Sequence, residues 1–178
     1  AFKANPKAVS VAGGSAGGTD HQLLGLIIKA LGKNPRDAAY VAFAGGGPAN
    51  AAILGGQVTA GISGYSEFEE QIKAGRMRAI AVSGSKRIPG VDVPTLKELG
   101  VNVTAANWRG IFGAPGISAQ QKAALVDLVT KIHASKSWKE TIEKRKWTDV
   151  FSAGASFDTQ IKDSIHDAEN ILKELGLA

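Results

Sequence analysis

Two glycine-rich turns are the segments of this chain best suited to chemistry. The first spans residues 13–21, GGSAGGTDH, and the second spans residues 44–49, AGGGPA. Each follows a short apolar run and opens a helical pattern, so its backbone N–H groups would lie at the positive end of a helix dipole. Neither turn contains Lys or Arg. The pattern therefore predicts an anion site made of neutral dipoles and hydroxyls, which suits reversible capture of a small carboxylate better than phosphate chemistry.

The first turn does not fit the known nucleotide motifs. A dinucleotide fingerprint starting at Gly13 would need glycine where Ser15 stands, and a P-loop would need lysine after Gly18. One alternative is a tight structural turn that binds nothing. The hydroxyls of Ser15 and Thr19 and the imidazole of His21 favour a binding site instead, since these groups donate hydrogen bonds to carboxylates.

A possible nucleophile lies further along the chain. Residues 61–65, GISGY, resemble a nucleophile elbow, but Tyr65 replaces its second glycine. No histidine is paired with an acid in an obvious motif, so a serine hydrolase is rejected, and Ser63 is interpreted as a hydrogen-bond donor or a turn residue. His21 opens a predicted helix, whose dipole favours the neutral ring. For His21, ligand contact and surface solvation both stay open.

Four further residues could have a functional or a structural role. Trp108 and Arg109 are either a hinge residue and a guanidinium that grips a carboxylate, or a packed side chain and a structural ion pair. We expect His133 and His166 to be solvated on charged helix faces. No spacing of His, Asp or Glu indicates a metal site, and no cofactor is predicted.

Composition narrows the class of protein. The 178 residues carry a net charge of +5, are 44% hydrophobic and include no cysteine, which excludes disulfides and thiolate metal sites. The basic residues are mixed with acidic ones, and even the run 143–146 is interpreted as a solvated helix face, so we expect no nucleic-acid partner. No apolar stretch approaches the ~20 residues that span a bilayer. No signal-peptide pattern is present, and the chain is interpreted as mature, truncated or cytoplasmic.

Strand and helix patterns alternate through the first half of the chain. This rhythm predicts an α/β fold with a mostly parallel sheet flanked by helices. In such a sheet ligands bind beyond the carboxyl ends of the strands, where both glycine turns and residues 63–65 would lie. The predicted strands are 8–12, 40–44, 58–62 and 77–83, and the predicted helices are 20–31, 48–54, 66–74 and a short one at 95–99.

The alternation of strand and helix patterns ends after Gly100. We predict an α/β ligand-binding lobe over residues 1–106, followed by a crossover segment and C-terminal helices over 107–178 that belong partly to another lobe. The second part contains predicted helices at 118–134, 137–146 and 156–175, with extended runs at 101–115 and 148–151. Five predicted helix starts carry capping pairs, namely Thr19/Gln22, Ser66/Glu69, Thr95/Glu98, Ser118/Gln121 and Ser137/Glu140.

A family resemblance accompanies these motifs. The blocks AGGGPA at 44–49, LGGQV at 54–58, IKAG at 72–75 and DVPTLKELG at 92–100 resemble, in order and spacing, the tripartite tricarboxylate transporter substrate-binding proteins. Residues 107–110, NWRG, followed by APG at 114–116, resemble the branch close to its citrate-binding members.

The resemblance implies a periplasmic-binding-protein-like fold of two α/β lobes that hold a carboxylate between them. It implies a periplasmic, non-enzymatic protein that passes its ligand to membrane permease subunits without spanning the membrane itself. It also implies a signal peptide and an N-terminal lobe, to which nothing here corresponds, so we expect weak or absent citrate binding by this chain alone. The ligand-binding residues expected from the turns and the resemblance together are Ser15, Ala16, Gly17, Thr19, His21, Gly46, Gly47, Pro48, Ala49, Ser63 and Gly64.

Two other functions remain open at this stage. The effector-binding domain of a bacterial transcription regulator has the same two-lobed architecture, but it would need a DNA-binding helix-turn-helix in front of it. A small α/β enzyme would need a nucleophilic or acid–base set that the motifs do not supply. The glycine turns would recognise the charge of a carboxylate and not the carbon skeleton that carries it. The sequence therefore leaves the identity of the acid open.

Overall fold

The computed structural model describes residues 1–178, which form two compact units. Unit 1 comprises residues 1–107 and 166–178, and unit 2 comprises residues 108–165. The elements are β1 (Val11–Gly13), α1 (Thr19–Ala30), β2 (Tyr40–Ala42), α2 (Gly46–Leu54), β3 (Ala60–Gly61), α3 (Tyr65–Lys73), α4 (Ala119–Ala134), α5 (Lys136–Arg145) and α6 (Ala155–Leu175), with 3₁₀ turns at Pro6–Ala8 and Pro35–Asp37.

Unit 1 contains a three-stranded sheet in the order β2-β1-β3. Both pairings are parallel, and Val11 on the central strand lies opposite Tyr40 on one side and Ala60 on the other. Helices follow each strand, so the predicted α/β class with a parallel sheet is confirmed.

The core of unit 1 lies on both faces of β1, because successive side chains of a strand point to opposite faces. Val11 packs with Leu24 and Ile28 of α1, and Ala12 packs with small residues of α2. Thus α1 covers one face of the central strand and α2 covers the other. The second cluster consists of Ala12, Ala49, Ala52 and Val58.

The end of α6 packs on α1 within unit 1. A Cβ atom built on Gly25 would lie only 3.0 Å from Leu175 Cδ2 and 3.2 Å from Ile171 Cδ1, so this close approach depends on glycine. Lys29 Nζ lies 2.6 Å from Glu174 Oε1 beside the same contact. Residues 166–178 therefore belong with the sheet, while the functional division at residue 106 stays a prediction.

Two predicted elements near the middle of the chain are wrong. Residues 77–83 form no strand, because their one ladder contact is a parallel bridge between Val82 and Thr95 and Ile80 is 66% exposed. A strand needs a continuous partner, and this segment has none. The short helix predicted at 95–99 is a single hydrogen-bonded turn that ends at Gly100, whose φ of +78° requires glycine.

The predicted capping pairs are confirmed at Ser118/Gln121 and Thr95/Glu98, where both reciprocal bonds form. They are wrong at Thr19, Ser66 and Ser137, because those helices begin one or more residues earlier. Their N-cap residues are Gly18, Gly64 and Ser135.

The Thr95 turn gives a pH-dependent prediction. Hydrogen bonds from the Arg87 guanidinium, at 2.9 Å, and then from the Thr95 N–H, at 2.8 Å, lower the pKa of Glu98 from 4.5 to about 2. Because the folded pKa is the lower one, the stability from these bonds is complete above pH 4.5 and is lost as the pH falls toward 2. We expect an NMR titration of the Glu98 carboxyl carbon to have its midpoint near pH 2.

Arg87→Ala should move that midpoint upward, while Arg78→Ala, which removes the same charge elsewhere, should leave it in place. A wild-type midpoint near 4.5 would contradict the pairing.

Unit 2 consists mainly of α4, α5 and the first part of α6. None of its residues is fully buried, although Trp108 and Phe157 meet edge to face with centroids 5.8 Å apart. The Trp108 Nε1–H donates to Ser164 Oγ at 3.2 Å, which favours the packing interpretation of this tryptophan. No helix in the structure is both long enough and apolar enough to cross a membrane.

The prediction that His133 is solvated is wrong. His133 Nε2 lies 2.9 Å from Asp149 Oδ2, and its ring stacks on Phe151 with centroids 4.1 Å apart. The hydrogen bond from His133, followed by the one from the Phe151 N–H, lowers the pKa of Asp149. This pair joins the end of α4 to the segment after α5.

Candidate functional site

The loops that follow the three strands leave unit 1 at one edge of its sheet. Gly13 lies opposite Ala42, and the Phe43 N–H continues the ladder by donating to Gly13 O at 2.9 Å. On the other side, the Ile62 N–H donates to Ala12 O at 2.8 Å. Because β1 is central, its turn lies between the loop before α2 and the loop before α3. Both glycine turns therefore stand at the same carboxyl edge.

The first turn is closed largely by its own groups. Three of its glycine N–H groups already have acceptors within the turn or in the first residues of α1. These amides are therefore not open donors, which corrects the expectation that the whole turn presents N–H groups to a ligand. The bonds are Gly14 to Asp20 Oδ2 at 2.8 Å, Gly17 to His21 Nδ1 at 3.2 Å and Gly18 to Ser15 O at 3.0 Å.

His21 is held in one neutral tautomer by this turn. Its Nδ1 accepts the Gly17 N–H, so the ring hydrogen is assigned to Nε2. The ring stacks on Tyr40 at a centroid distance of 4.2 Å and an angle of 5°, and burial lowers the pKa of His21. The neutral imidazole expected from the sequence is thus what the surroundings favour, with Nε2–H as its donor. Contact with a ligand stays a prediction.

Tyr40 is a functional neighbour that sequence reasoning missed. Its hydroxyl donates to Gly14 O at 2.9 Å, which ties β2 to the first turn. Burial, followed by the charge of Asp20, raises the pKa of Tyr40 to about 12, so the hydroxyl stays protonated. The signal in the sequence was a tyrosine, with an apolar body and a polar tip, at the start of an otherwise apolar strand.

The second turn opens α2 with two N–H groups that precede its first intrahelical bond. Gly45 has φ +129°, a conformation that favours glycine, and the Ala49 N–H donates to Gly45 O at 3.3 Å. The N–H groups of Gly46 and Gly47 lie ahead of that bond and have no acceptor within the helix. Pro48 has no N–H. These two glycines are the backbone donors that the geometry offers an anion.

The structure argues against direct ligand contact by Ala49. Its side chain is 1% exposed and packs in the core, and its N–H is used within the helix. Ala49 therefore fixes α2 against β1 instead. Among the other predicted residues, Ser15, Ala16, Thr19 and Gly64 are exposed, and Ser63 is half-buried.

Glu67 is the second residue that sequence reasoning missed. Its carboxylate lies directly against Gly46, where a Cβ atom would be 2.8 Å from Glu67 Cδ. The Ser63 hydroxyl donates to Glu67 Oε2. The sequence signal was an acid in the first turn of α3, three positions after Gly64, which the incorrect Ser66/Glu69 capping pair obscured.

A depression elsewhere in unit 1 is less suited to an anion. An open depression of about 440 Å³ lies at the far end of α1, lined by Leu26, Lys29, Ala30 and residues 102–104. Its one cation, Lys29, is paired with Glu174, and the depression is remote from all three strand-end loops. No group of three or more His, Asp or Glu side chains is arranged to hold a metal ion.

Comparison with known proteins places these features in a family. Residues 1–177 match the family described as "Tripartite tricarboxylate transporter family receptor" (TctC). Protein BugT of Bordetella pertussis is 27% identical over 176 residues, which are 98% of this chain and 53% of that protein. The chain therefore spans about half the length of this curated relative.

Solved structures show the same fold. A TctC solute binding protein from Polaromonas, without ligand, has a TM-score of 0.72 at 24% identity and is matched over 99% of this chain and 60% of its own. An R. palustris protein with adipate has a TM-score of 0.81 at 20% identity over 99% and 58%. MatC from Rhodopseudomonas palustris with bound malate has a TM-score of 0.66 at 20% identity over 98% and 57%.

Proposed function

Because the chain belongs to the tripartite tricarboxylate transporter receptor family, we propose that it captures a small di- or tricarboxylate for uptake. In this proposal it acts in the periplasm and passes its ligand to membrane permease subunits. The observation that carries the proposal is the α2 N-terminus, where Gly46 and Gly47 present N–H groups at the sheet edge. The adipate and malate bound by two proteins of the same fold support the same ligand class.

Capture at this edge uses neutral groups. The helix dipole and the two glycine N–H groups stabilise a carboxylate, and the Ser63 hydroxyl and His21 Nε2–H are further donors on the flanking loops. Such bonds to an anion contribute about 1.5–3 kcal/mol each, which permits both binding and release. Ser63 hydrogen-bonds to a carboxylate and not to an imidazole, so we expect binding without turnover.

Ligand-dependent stability tests the proposal. We expect adipate, malate or citrate to raise the melting temperature of the protein at its full natural length, since binding to the folded state alone adds about 2.7 kcal/mol at one hundred times Kd. Adipamide, which has the adipate skeleton without charge, should give no rise. Calorimetry on the best acid should give a single-site isotherm. No rise with any acid, or an equal rise with adipamide, would contradict carboxylate capture.

A further inference from the structure

We propose that Glu67 is an affinity-setting residue of this site, an internal carboxylate that lies over Gly46 at the N-terminus of α2 until a ligand carboxylate displaces it. This inference rests on the proposed function and names a residue that regulates the same site. The carboxylate lies over the Cα of Gly46, beside the helix N-terminus that the proposed function assigns to the ligand.

The carboxylate of Glu67 lies beside residues that are predicted to bind the ligand. A Cβ atom on Gly46 would lie 2.8 to 3.0 Å from the three carboxyl atoms of Glu67, so the carboxylate lies flat on the bare Cα of that glycine. The Ser63 hydroxyl donates to it, and the Gly64 Cα lies nearby. One resident carboxylate thus covers the Cα of Gly46 and accepts the Ser63 hydroxyl.

The backbone of Glu67 is fixed while its carboxylate can move. Asn50 Nδ2 of α2 donates to Glu67 O at 2.8 Å, and the Glu67 N–H donates to Gly64 O at 2.9 Å. The residue is exposed overall, so its side chain can rotate into solvent without disturbing these bonds. A fixed backbone with a movable carboxylate is the arrangement that an exchangeable internal ligand needs.

Electrostatics favours the exchange. Two carboxylates at contact distance repel each other, and no lysine or arginine stands in the loop to neutralise a second charge. An incoming carboxylate therefore binds more tightly when the Glu67 carboxylate has moved away. If Glu67 occupies the place nine-tenths of the time, the apparent affinity for an external carboxylate falls about tenfold, in proportion to the vacant fraction.

Rescue by a small acid tests the inference. We compare Glu67→Ala with wild type in a sodium acetate series against sodium chloride at equal ionic strength, following the melting temperature of the protein at its full natural length. Acetate supplies the missing carboxylate, so we expect Glu67→Ala to melt lower than wild type in chloride and to recover in acetate at about tenfold lower concentration than any wild-type response.

Glu70→Ala is the matched control, because it removes the same charge from the same helix without a contact to Gly46. It should behave as wild type in both salts. Glu67→Gln keeps the shape of the side chain and serves if the alanine variant folds poorly; it should bind adipate more tightly than wild type. An acetate response of Glu67→Ala equal to that of wild type would overturn the inference, as would weaker adipate binding by Glu67→Gln.

The two proposals can fail separately. Acetate rescue without a response to any dicarboxylate would support the role of Glu67 and contradict the proposed function. Adipate binding that is unchanged by Glu67→Gln would support the function and contradict the role of Glu67.

Discussion

Replacing Gly13 with alanine is expected to lower the free energy of unfolding by about 1–3 kcal/mol, the usual effect of forcing extra atoms into a packed site. A Cβ atom at this position would lie 2.3 Å from the Tyr40 hydroxyl oxygen, 2.8 Å from Asp20 Cβ and 2.9 Å from Tyr40 Cε2. Gly13 is buried at the end of β1, so the backbone cannot retreat without breaking the ladder.

The displaced Tyr40 has several contacts to lose. Its hydroxyl bond to Gly14 O and its stack on His21 both depend on its present position. We therefore expect the variant to lose the fixed geometry of the first turn together with stability. Urea unfolding measures the loss of stability. The NMR signals of the His21 ring report the change in the geometry of the turn.

Gly47→Ala is the control for this experiment. No atom lies within 4 Å of a Cβ built there and its φ is not in the left-handed region, so it should be neutral or stabilising by up to about 1 kcal/mol through helix propensity. Equal destabilisation by both substitutions would show that Gly13 is not sterically special.

Much of the fold of unit 1 was predictable because local patterns and packing agree there. The apolar spacing of α1 placed its buried face correctly, with Leu24 and Ile28 in the core. The short apolar runs ending in glycines marked β1 and β2, and their parallel pairing followed from the alternation with helices. Where each element buries the side chains that its pattern predicts, the sequence is sufficient to predict the element.

The fourth predicted strand shows where this reasoning stops. Residues 77–83 have an apolar pattern, but a strand forms only if another strand supplies hydrogen bonds along its length. Here Val82 pairs with Thr95 alone, and Ile80 is left exposed. Pairing is a property of the tertiary structure, which a local pattern does not contain.

The location of the candidate site was predictable, but the groups that are open to a ligand were not, for a similar reason. Glycine composition identified both turns, and the parallel topology put them at one edge. Which amides are already bonded depends on side chains such as Asp20, whose bond to Gly14 spans six residues. The contact of Glu67 with Gly46 was even harder to predict, because it joins two different helices. The sequence indicates which loops meet but not which groups remain open.

The stability of the sheet edge depends on a small apolar core, so Ile28→Ala is expected to lower the free energy of unfolding by about 2–5 kcal/mol. Ile28 is 0% exposed, and with Leu24 it is one of the largest fully buried side chains of the chain. Alanine would leave a cavity between α1 and β1, since the neighbouring Val11 is itself 4% exposed and fixed in the central strand.

Ile80→Ala is the matched control, because it deletes the same atoms from a side chain that is 66% exposed and should change stability by no more than about 0.5 kcal/mol. Urea unfolding should give a lower midpoint for Ile28→Ala with an unchanged slope, the sign of a change in stability alone. Similar losses in the two variants would mean that α1 is not held by this core. The first turn, which α1 positions through His21, would then have to be fixed by its own hydrogen bonds.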